Sequence, residues 1–428
     1  MNDFQMRLLP LSPVVQPLAR RVRLNSIWLL LARLITQAAL VMSTVLIART
    51  LGVVGFGQYA FVAAVIFLGN VATTFGTDTL LIREVARDRQ ASASLVGAAL
   101  WLQLALSASW LIVAFIVGQS MIDQSAEVLL AVQIYSLSLI PLAFFTVYTA
   151  VLRAHERMDL YLLLSAGVAV MQLGGVWWVL QENRSLSAFV MMLNGVQLAA
   201  AIFAGAVCRR YLRAFHFQWT IEQRQLLHLV RLAWPFALLG ALAVIYQRLG
   251  VLMLSALGTE ADTGWYAAAS RVIEPVKLLH FAVLGALLPA LARLIPLAAD
   301  PQQAQLAVRV FQRSVLFLLA ISVLLVLLVM AFAEPLVTVL FGATYTPSVA
   351  LVKVLAVSLI PYTISAAWSV RLVAQGRERR VTWALALSLA VAFILNRWLI
   401  PAQGSSGAAL AVVISESVFA AAVLMERR

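Results

Sequence analysis

Long apolar stretches alternate with short polar loops along the whole chain. Stretches of about 20 apolar residues are long enough to cross a hydrocarbon core of about 30 Å, and they recur twelve times. The pattern therefore predicts an all-α integral membrane protein with about twelve transmembrane helices. The predicted spans are 26–48, 57–82, 92–118, 127–151, 160–180, 186–207, 229–256, 264–290, 314–333, 348–374, 381–400 and 407–425.

The composition supports a membrane protein. Of the 428 residues, 63% are hydrophobic and 11% are charged, whereas roughly 25% of a soluble domain is charged. The net charge of +13 raises the question of nucleic acid, but that partner requires a solvated basic face. Here the arginines punctuate apolar runs, so we expect membrane lipid around the protein and no nucleic-acid partner. The single cysteine, Cys208, excludes internal disulfides, and the histidine spacing predicts no metal site.

Positive charges concentrate in alternate loops and thereby predict the orientation. Most arginines lie in the N-terminal tail, in the loops near 83–91, 152–159, 208–228, 291–313 and 375–380, and at the C-terminal end. The opposite loops hold only Arg49 and Arg184. By the positive-inside rule, both ends of this multi-pass protein should face the cytoplasm.

Short sequence matches indicate an internal duplication. Each half has six spans, and an even number gives both halves the same orientation in the membrane. The sequence therefore predicts two parallel six-helix repeats around a central cavity. The chain would then consist of a basic cytoplasmic tail (1–25), an N-lobe with spans 1–6 (26–207), a basic cytoplasmic linker (208–228) and a C-lobe with spans 7–12 (229–428). The matched segments are SLIP at 138–141 and 358–361, residues 152–157 and 372–377, and GQYA at 57–60 with GWYA at 264–267.

Charged residues inside the spans predict the character of this cavity. A charge at mid-bilayer costs about 2.5–3.5 kcal/mol on insertion scales, so it normally faces a partner or a wet cavity. Span 8 carries Arg271, Glu274, Lys277 and His280 on one half of its helix. We expect Glu274 to pair with Arg271 and His280 to be a packed or polar-lined residue. The expected cationic cavity residues are Arg33, Arg248, Arg271, Lys277 and Lys353.

Uncharged polar residues extend the predicted cavity along spans 1 and 2. Gln37 follows Arg33 by one helical turn, while Asn70, Thr74 and Asp78 form a stripe on span 2. Asp78 has an alternative interpretation as the ion-pair partner of a nearby basic residue. Deep positive charges outnumber the negative ones at Asp78, Glu274 and Glu416, so the predicted cavity is cationic and favours an anionic substrate. Arginine suits phosphate because its guanidinium binds oxygen atoms bidentately.

The sequence shows no catalytic constellation and no phosphate-binding loop of the G-x-x-x-x-G-K-[ST] type. We therefore expect a transporter without a cofactor rather than an enzyme. Its energy would come from an ion gradient, from the membrane potential or from the downhill path of the substrate.

Three segments resemble the polysaccharide-transport branch of the multidrug/oligosaccharidyl-lipid/polysaccharide flippases: Ile47–Arg87, Leu340–Pro361 and Asn396–Glu416. The resemblance covers nearly all spans and consists mainly of structural glycines, prolines and amphipathic positions. It implies a bacterial inner-membrane flippase that moves an undecaprenyl-pyrophosphate-linked oligosaccharide to the outer leaflet. It also implies a pathway shared with a polysaccharide polymerase and glycosyltransferases.

Other functions remain open at the level of sequence. A flippase for the lipid-linked peptidoglycan precursor would need the same anion site. A cationic cavity disfavours an efflux pump for cationic drugs. Short predicted outer loops disfavour a membrane polymerase or ligase of lipid-linked sugars, and a non-transporting scaffold would tolerate changes in the polar stripes.

Overall fold

The computed structural model describes residues 15–88, 92–120, 125–182, 185–211, 223–277 and 301–425, and the positions 280, 283, 284 and 287 between the last two ranges. The start of the predicted tail, most of the linker 208–228, Arg184 and the end of span 8 lie outside these residues. All regular elements within them are helical. The helices are α1 Val15–Thr74, α2 Thr77–Arg87, α3 Ser92–Ser120, α4 Ala126–Ser136, α5 Leu139–Ala154, α6 Met158–Glu182, α7 Leu186–Tyr211, α8 Gln223–Leu257, α9 Glu260–Ile273, α10 Pro301–Phe341, α11 Pro347–Val357, α12 Leu359–Ala374 and α13 Glu378–Leu424.

The helices account for the twelve predicted crossings. Within the described residues, nine helical segments are long and apolar enough to span a membrane. Two of them, Leu24–Arg87 with 64 residues and Glu378–Leu424 with 47, exceed the ~20 residues of one crossing. Each contains a non-helical glycine, Gly52 (φ 69°) or Gly404 (φ 56°), and makes two crossings. Together with span 8, which begins with α9, they complete the predicted set of twelve.

The internal duplication is visible in the positions where helices break. Spans 4 and 10 each consist of two short helices, α4 with α5 and α11 with α12. The Ser138 hydroxyl donates to the Tyr135 carbonyl at 2.6 Å, and the Ser358 hydroxyl donates to the Leu355 carbonyl at 2.6 Å. The repeated SLIP sequence therefore forms the same local structure in both halves.

Spans 2 and 8 are not the continuous helices that the sequence predicts. Span 2 breaks between α1 and α2, where Phe75 (φ 48°) and Gly76 (φ 67°) adopt left-handed conformations. Span 8 narrows to a 3₁₀ turn at Glu274–Val276. Pro275 explains the second break, because it has no N–H to donate to the carbonyl of Arg271.

The two halves touch most closely where α1 crosses α9. A Cβ atom on Gly57 would lie 2.0 Å from the Glu260 carbonyl oxygen, and one on Gly264 would lie 2.1 Å from the Val53 carbonyl oxygen. Only glycine allows such close backbone contact. Gly57 and Gly264 are equivalent positions of the repeat, so this crossing joins matching points of the two halves.

Further bonds between the halves surround this crossing on the side predicted to face outward. Gln58 Nε2 donates to Glu260 Oε1 at 2.9 Å, and the Tyr345 hydroxyl donates to the Ala48 carbonyl at 2.9 Å. Arg49 Nε donates to the Leu340 carbonyl at 2.7 Å, and its Nη2 donates to the Val339 carbonyl. Arg49 therefore ties α1 to the end of α10, and the two halves are joined along this side.

Asp262 fixes the start of α9 to the break in α13. Its Oδ1 accepts hydrogen bonds from the backbone N–H of Ser405 at 3.0 Å and from its hydroxyl at 2.9 Å. Its Oδ2 accepts one from the Thr259 hydroxyl at 2.6 Å. Burial alone would raise the pKa of Asp262, but these hydrogen bonds outweigh it and lower the pKa below the usual range.

Candidate functional site

A pocket lies beside the crossing of the two halves, between α1, α8 and α9. The α1 wall is apolar and aromatic, with side chains at positions 56, 59, 60, 63, 64 and 67, a spacing that places them along one helical face. The opposite wall, from α8, α9 and the 3₁₀ turn, carries the polar groups. These are Arg248, Ser270, Arg271 and Glu274.

One carboxylate in this pocket contacts two guanidinium groups. Arg248 Nη1 lies 3.1 Å from Glu274 Oε1, and Arg271 Nη1 lies 2.8 Å from Glu274 Oε2. Arg248 and Arg271 are 12% and 16% exposed, whereas Glu274 is 33% exposed. The trio carries a net charge of +1 in a largely dehydrated place, where a charge interacts strongly with a ligand. The predicted ion pair between Arg271 and Glu274 is confirmed.

Arg248 is oriented by an aromatic ring from the other half. Its guanidinium carbon lies 4.5 Å from the centroid of the Phe67 ring, a favourable cation–π geometry. Among the described residues, the buried Nε of Arg248 has no hydrogen-bond partner. A buried donor without a partner is costly, so this N–H retains an unused capacity to donate a hydrogen bond.

Lys277 extends the polar region beyond the 3₁₀ turn. Its ammonium lies 4.6 Å from the centroid of the Tyr362 ring, and its charge interacts with those of Glu274 and Glu416. Glu416 is 4% exposed and lies near the hydroxyls of Tyr246 and Ser365. A chain of alternating charges thus runs from the pocket into the interior of the second half.

The structure places the other predicted cationic residues away from this pocket. Arg33 has an exposed side chain on the first part of α1, within electrostatic range of Arg153 and Tyr161. Lys353 is exposed on α11. Neither residue lines the pocket of Arg248 and Arg271. In the predicted orientation, Arg33 lies in the inner half of the membrane and the two paired arginines lie in the outer half.

The predicted polar stripes also lie outside the pocket lining. Gln37 is half-buried on α1. The Thr74 hydroxyl donates to the Asn70 carbonyl at 2.8 Å, and the buried Oδ1 of Asn70 has no partner among the described residues. Asp78 lies in the first turn of α2, where the Thr79 hydroxyl is 3.4 Å from its Oδ1. The stripe on span 2 is therefore interrupted by the break at Gly76.

His280 is buried and lined by hydroxyl groups, in agreement with the expected packed or polar-lined position. Its Nε2 lies 2.7 Å from the Ser322 hydroxyl and 2.9 Å from the Thr363 hydroxyl, and its side chain is fully buried. This network joins span 8 to α10 and α12 and lies outside the pocket lining.

Sequence reasoning missed the aromatic wall of the pocket. Phe56, just before span 2, lies at helical spacing from Tyr59 and Phe67 within it, but an apolar stripe in a membrane span normally faces lipid or other helices. Only the position of Arg248 against the Phe67 ring distinguishes this stripe from ordinary packing.

The fold and the site together define a class: a helical membrane protein with two repeated halves and a cationic pocket at their junction. The family described as "Polysaccharide biosynthesis protein" matches residues 22–295. Since this match covers more than half of the chain, the protein belongs to that family. No curated protein matches it at a significant level.

Solved structures share the fold over most of the chain. The lipid II flippase MurJ in an inward closed conformation is 13% identical, with a TM-score of 0.76 over 94% of this chain and 86% of that one. An inward-facing multidrug resistance MATE family transporter of the MOP superfamily is 16% identical, with a TM-score of 0.71 over 92% and 95%. A MOP superfamily transporter from Pyrococcus furiosus is 14% identical, with a TM-score of 0.64 over 95% and 94%. At these identities the likeness establishes the fold alone.

Proposed function

We propose that the protein is a flippase for an undecaprenyl-pyrophosphate-linked oligosaccharide, the repeat unit of an exopolysaccharide, an O-antigen or a capsule. The observation that carries this proposal is the pair Arg248 and Arg271, which converge on one carboxylate at the junction of the halves. Two convergent guanidiniums suit the oxygen atoms of a pyrophosphate. Family membership and the transporter fold of the structural neighbours support it.

The mechanism we propose is alternating access between an N-lobe (26–207) and a C-lobe (229–428), joined by the linker 208–228. Both ends face the cytoplasm in the bacterial inner membrane. The glycine crossing and the bonds around it close the outer side, so the substrate enters from the cytoplasmic side. The substrate head leaves outward after the halves separate at this crossing, while the lipid tail stays in the bilayer. No bond in the substrate is made or broken.

Each predicted site residue has a role in this proposal. Arg248 and Arg271 bind the pyrophosphate, and Lys277 adds positive field beside them. Arg33, in the inner half of the membrane, attracts the head group on the cytoplasmic side before it reaches the arginine pair, and Lys353 adds charge at the outer end. The polar groups of Gln37, Asn70, Thr74 and Asp78 accommodate sugar hydroxyls along the path. A polymerase and glycosyltransferases of the same pathway would consume and supply the lipid-linked sugar.

The test is delivery of polysaccharide to the surface of cells that lack the chromosomal gene and express variants. Arg271→Ala and Arg248→Ala should each reduce delivery at least tenfold at equal protein level, because each leaves Glu274 with one guanidinium partner and weakens the anion site. Arg397→Ala, which removes an exposed arginine of α13 away from the pocket, is the matched control and should deliver normally. Normal delivery by Arg271→Ala would refute the assignment.

A second experiment, complementation, distinguishes this substrate from its rival. The lipid-linked peptidoglycan precursor also carries a pyrophosphate, so the arginine pair fits it equally well. Survival of a strain depleted of its peptidoglycan-precursor flippase, with expression of this chain, would favour that substrate. We expect no rescue.

A further inference from the structure

The anion site of the pocket is already occupied by a side chain of the protein. The two oxygen atoms of Glu274 each contact one arginine, at 3.1 Å and 2.8 Å. A pyrophosphate that binds both guanidiniums needs the same donors. The carboxylate and the ligand therefore compete for one place.

The local structure favours movement of Glu274 more than movement of the arginines. Glu274 begins a 3₁₀ turn that Pro275 creates, and 3₁₀ hydrogen bonds have poorer geometry than those of an α-helix. Its side chain is 33% exposed, whereas those of Arg248 and Arg271 are 12% and 16% exposed. Arg248 is additionally held by the Phe67 ring at 4.5 Å. The carboxylate is thus the least confined member of the trio.

A second cationic partner for Glu274 lies one turn further along the chain. Positions 274 and 277 are three residues apart, and side chains at i and i+3 eclipse in a 3₁₀ helix. Lys277 is close enough for its charge to interact with Glu274. A carboxylate that leaves the arginines therefore has a cation to receive it without leaving the low-dielectric region, where an unpaired charge is costly.

We propose that Glu274 is a displaceable internal counter-ion, which an incoming pyrophosphate moves from the arginine pair to Lys277. This inference rests on the proposed function and concerns how the same site selects its ligand. A monoanion offers the arginines no more charge than the carboxylate does and fails to displace it. A diphosphate contacts both guanidiniums with a higher charge and succeeds. Glu274 thereby excludes small monoanions from an empty cationic pocket.

An alternative role for Glu274 is purely structural, as the group that neutralises the two arginines and holds them together. The two roles predict opposite effects of Glu274→Gln. Removal of a competitor strengthens anion binding, whereas removal of a structural partner lets two like charges separate and weakens binding.

The experiment measures binding of inorganic pyrophosphate to the purified full-length protein in detergent by titration calorimetry. Glu274→Gln should bind it at least fivefold more tightly than the wild type, and an excess of acetate should compete only in this variant. Glu334→Gln, which removes a carboxylate of α10 that is outside the pocket, is the control for net charge and should match the wild type. Lys277→Gln alone should weaken pyrophosphate binding severalfold. Added to Glu274→Gln in a double variant, it should weaken binding much less, because no carboxylate then moves to position 277.

Failure of the counter-ion role and failure of the proposed function give different results. Equal or weaker binding by Glu274→Gln, with Arg271→Ala still impaired, would overturn the counter-ion role and leave the anion site intact. Equal binding by the wild type and Arg271→Ala would overturn both. Absence of binding in the wild type and in Glu274→Gln would also overturn both, whereas binding by Glu274→Gln alone would support displacement.

Discussion

Two equivalent residues of the repeat, Glu156 and Gly376, adopt the same left-handed backbone conformation, with φ of 59° and 72°. Both end a helix in the same way, since the N–H of Arg157 bonds to the Leu152 carbonyl at 3.0 Å and that of Arg377 to the Leu372 carbonyl at 2.9 Å. This is the helix ending in which glycine is favoured. The first half therefore carries backbone strain that the second half avoids.

Substitution of these two residues should have opposite effects on stability. Glu156→Gly should stabilise the protein by about 0.5–1 kcal/mol, because a residue with a Cβ is disfavoured in the left-handed region. Gly376→Ala should destabilise it by about 1 kcal/mol, although a Cβ there would meet no atom within 4 Å. Thermal unfolding in detergent measures both shifts. Gly195→Ala, in an ordinary helical conformation with equal space, is the control, and a loss of stability there would contradict the argument from conformation.

For single residues, the sequence predicted contacts between side chains on the same helix. Arg271 and Glu274 are three residues apart, so their ion pair follows from helix geometry. The partnership of Glu274 with Arg248 depends on how α8 packs against span 8, which no local pattern encodes. The same holds for the Phe67 ring under Arg248, since the two residues are 181 positions apart in the sequence.

At the scale of elements, the crossing of α1 and α9 depends on two glycines. An alanine at position 57 or 264 places a Cβ about 2 Å from a backbone oxygen of the partner helix, so the helices must move apart. We expect Gly57→Ala and Gly264→Ala each to lower stability by about 1–3 kcal/mol, the usual cost of overpacking, as measured by thermal unfolding. Gly240→Ala meets only a Val71 methyl at 3.6 Å and should be neutral or mildly stabilising. Unchanged unfolding of Gly57→Ala would refute the crossing.

Helix breaks inside spans were the least predictable elements. Pro275 is a visible signal, yet proline is tolerated in transmembrane helices, and the sequence pattern there predicts one continuous span. Phe75 carries no such signal, because nothing in a phenylalanine indicates a left-handed conformation. The breaks at Ser138 and Ser358 differ, because the repeated SLIP sequence makes both positions recognisable in the sequence. The repeat alone does not predict that a helix breaks there.

For the whole molecule, the duplication shows which side chains each half contributes to the pocket. With Gly57 set against Gly264, Glu274 corresponds to Phe67, Arg271 to Ala64 and Lys277 to Asn70. Phe67 and Glu274 both contact Arg248, one with its ring and one with its carboxylate. The first half thus supplies uncharged side chains, including the Phe67 ring, at the positions where the second half supplies charge. Two equivalent helices of the repeat therefore form an asymmetric pocket, with the aromatic ring on one side and the charges on the other.

If the halves separate at the outer side during transport, a covalent link across that side should stop it. Gln58 and Glu260 belong to different halves and their side chains bond at 2.9 Å. Cysteines at both positions, in a background with Cys208→Ala, should form a disulfide directly or be joined by a short bifunctional methanethiosulfonate reagent, which links thiols through reducible disulfides. We expect linked protein to lose at least nine-tenths of its polysaccharide delivery and to regain it on reduction, because the closed side then opens again.

The control link joins two points of a single half on the same predicted side. The backbone N–H of Leu186 donates to Glu127 Oε1 at 3.3 Å, and both residues belong to the first half. Cysteines at 127 and 186 should cross-link without loss of delivery, because rigid-body motion of the half leaves their separation unchanged. Sustained delivery by protein linked between 58 and 260 would mean that this side stays closed throughout, and that the substrate leaves without separation of the halves at the glycine crossing.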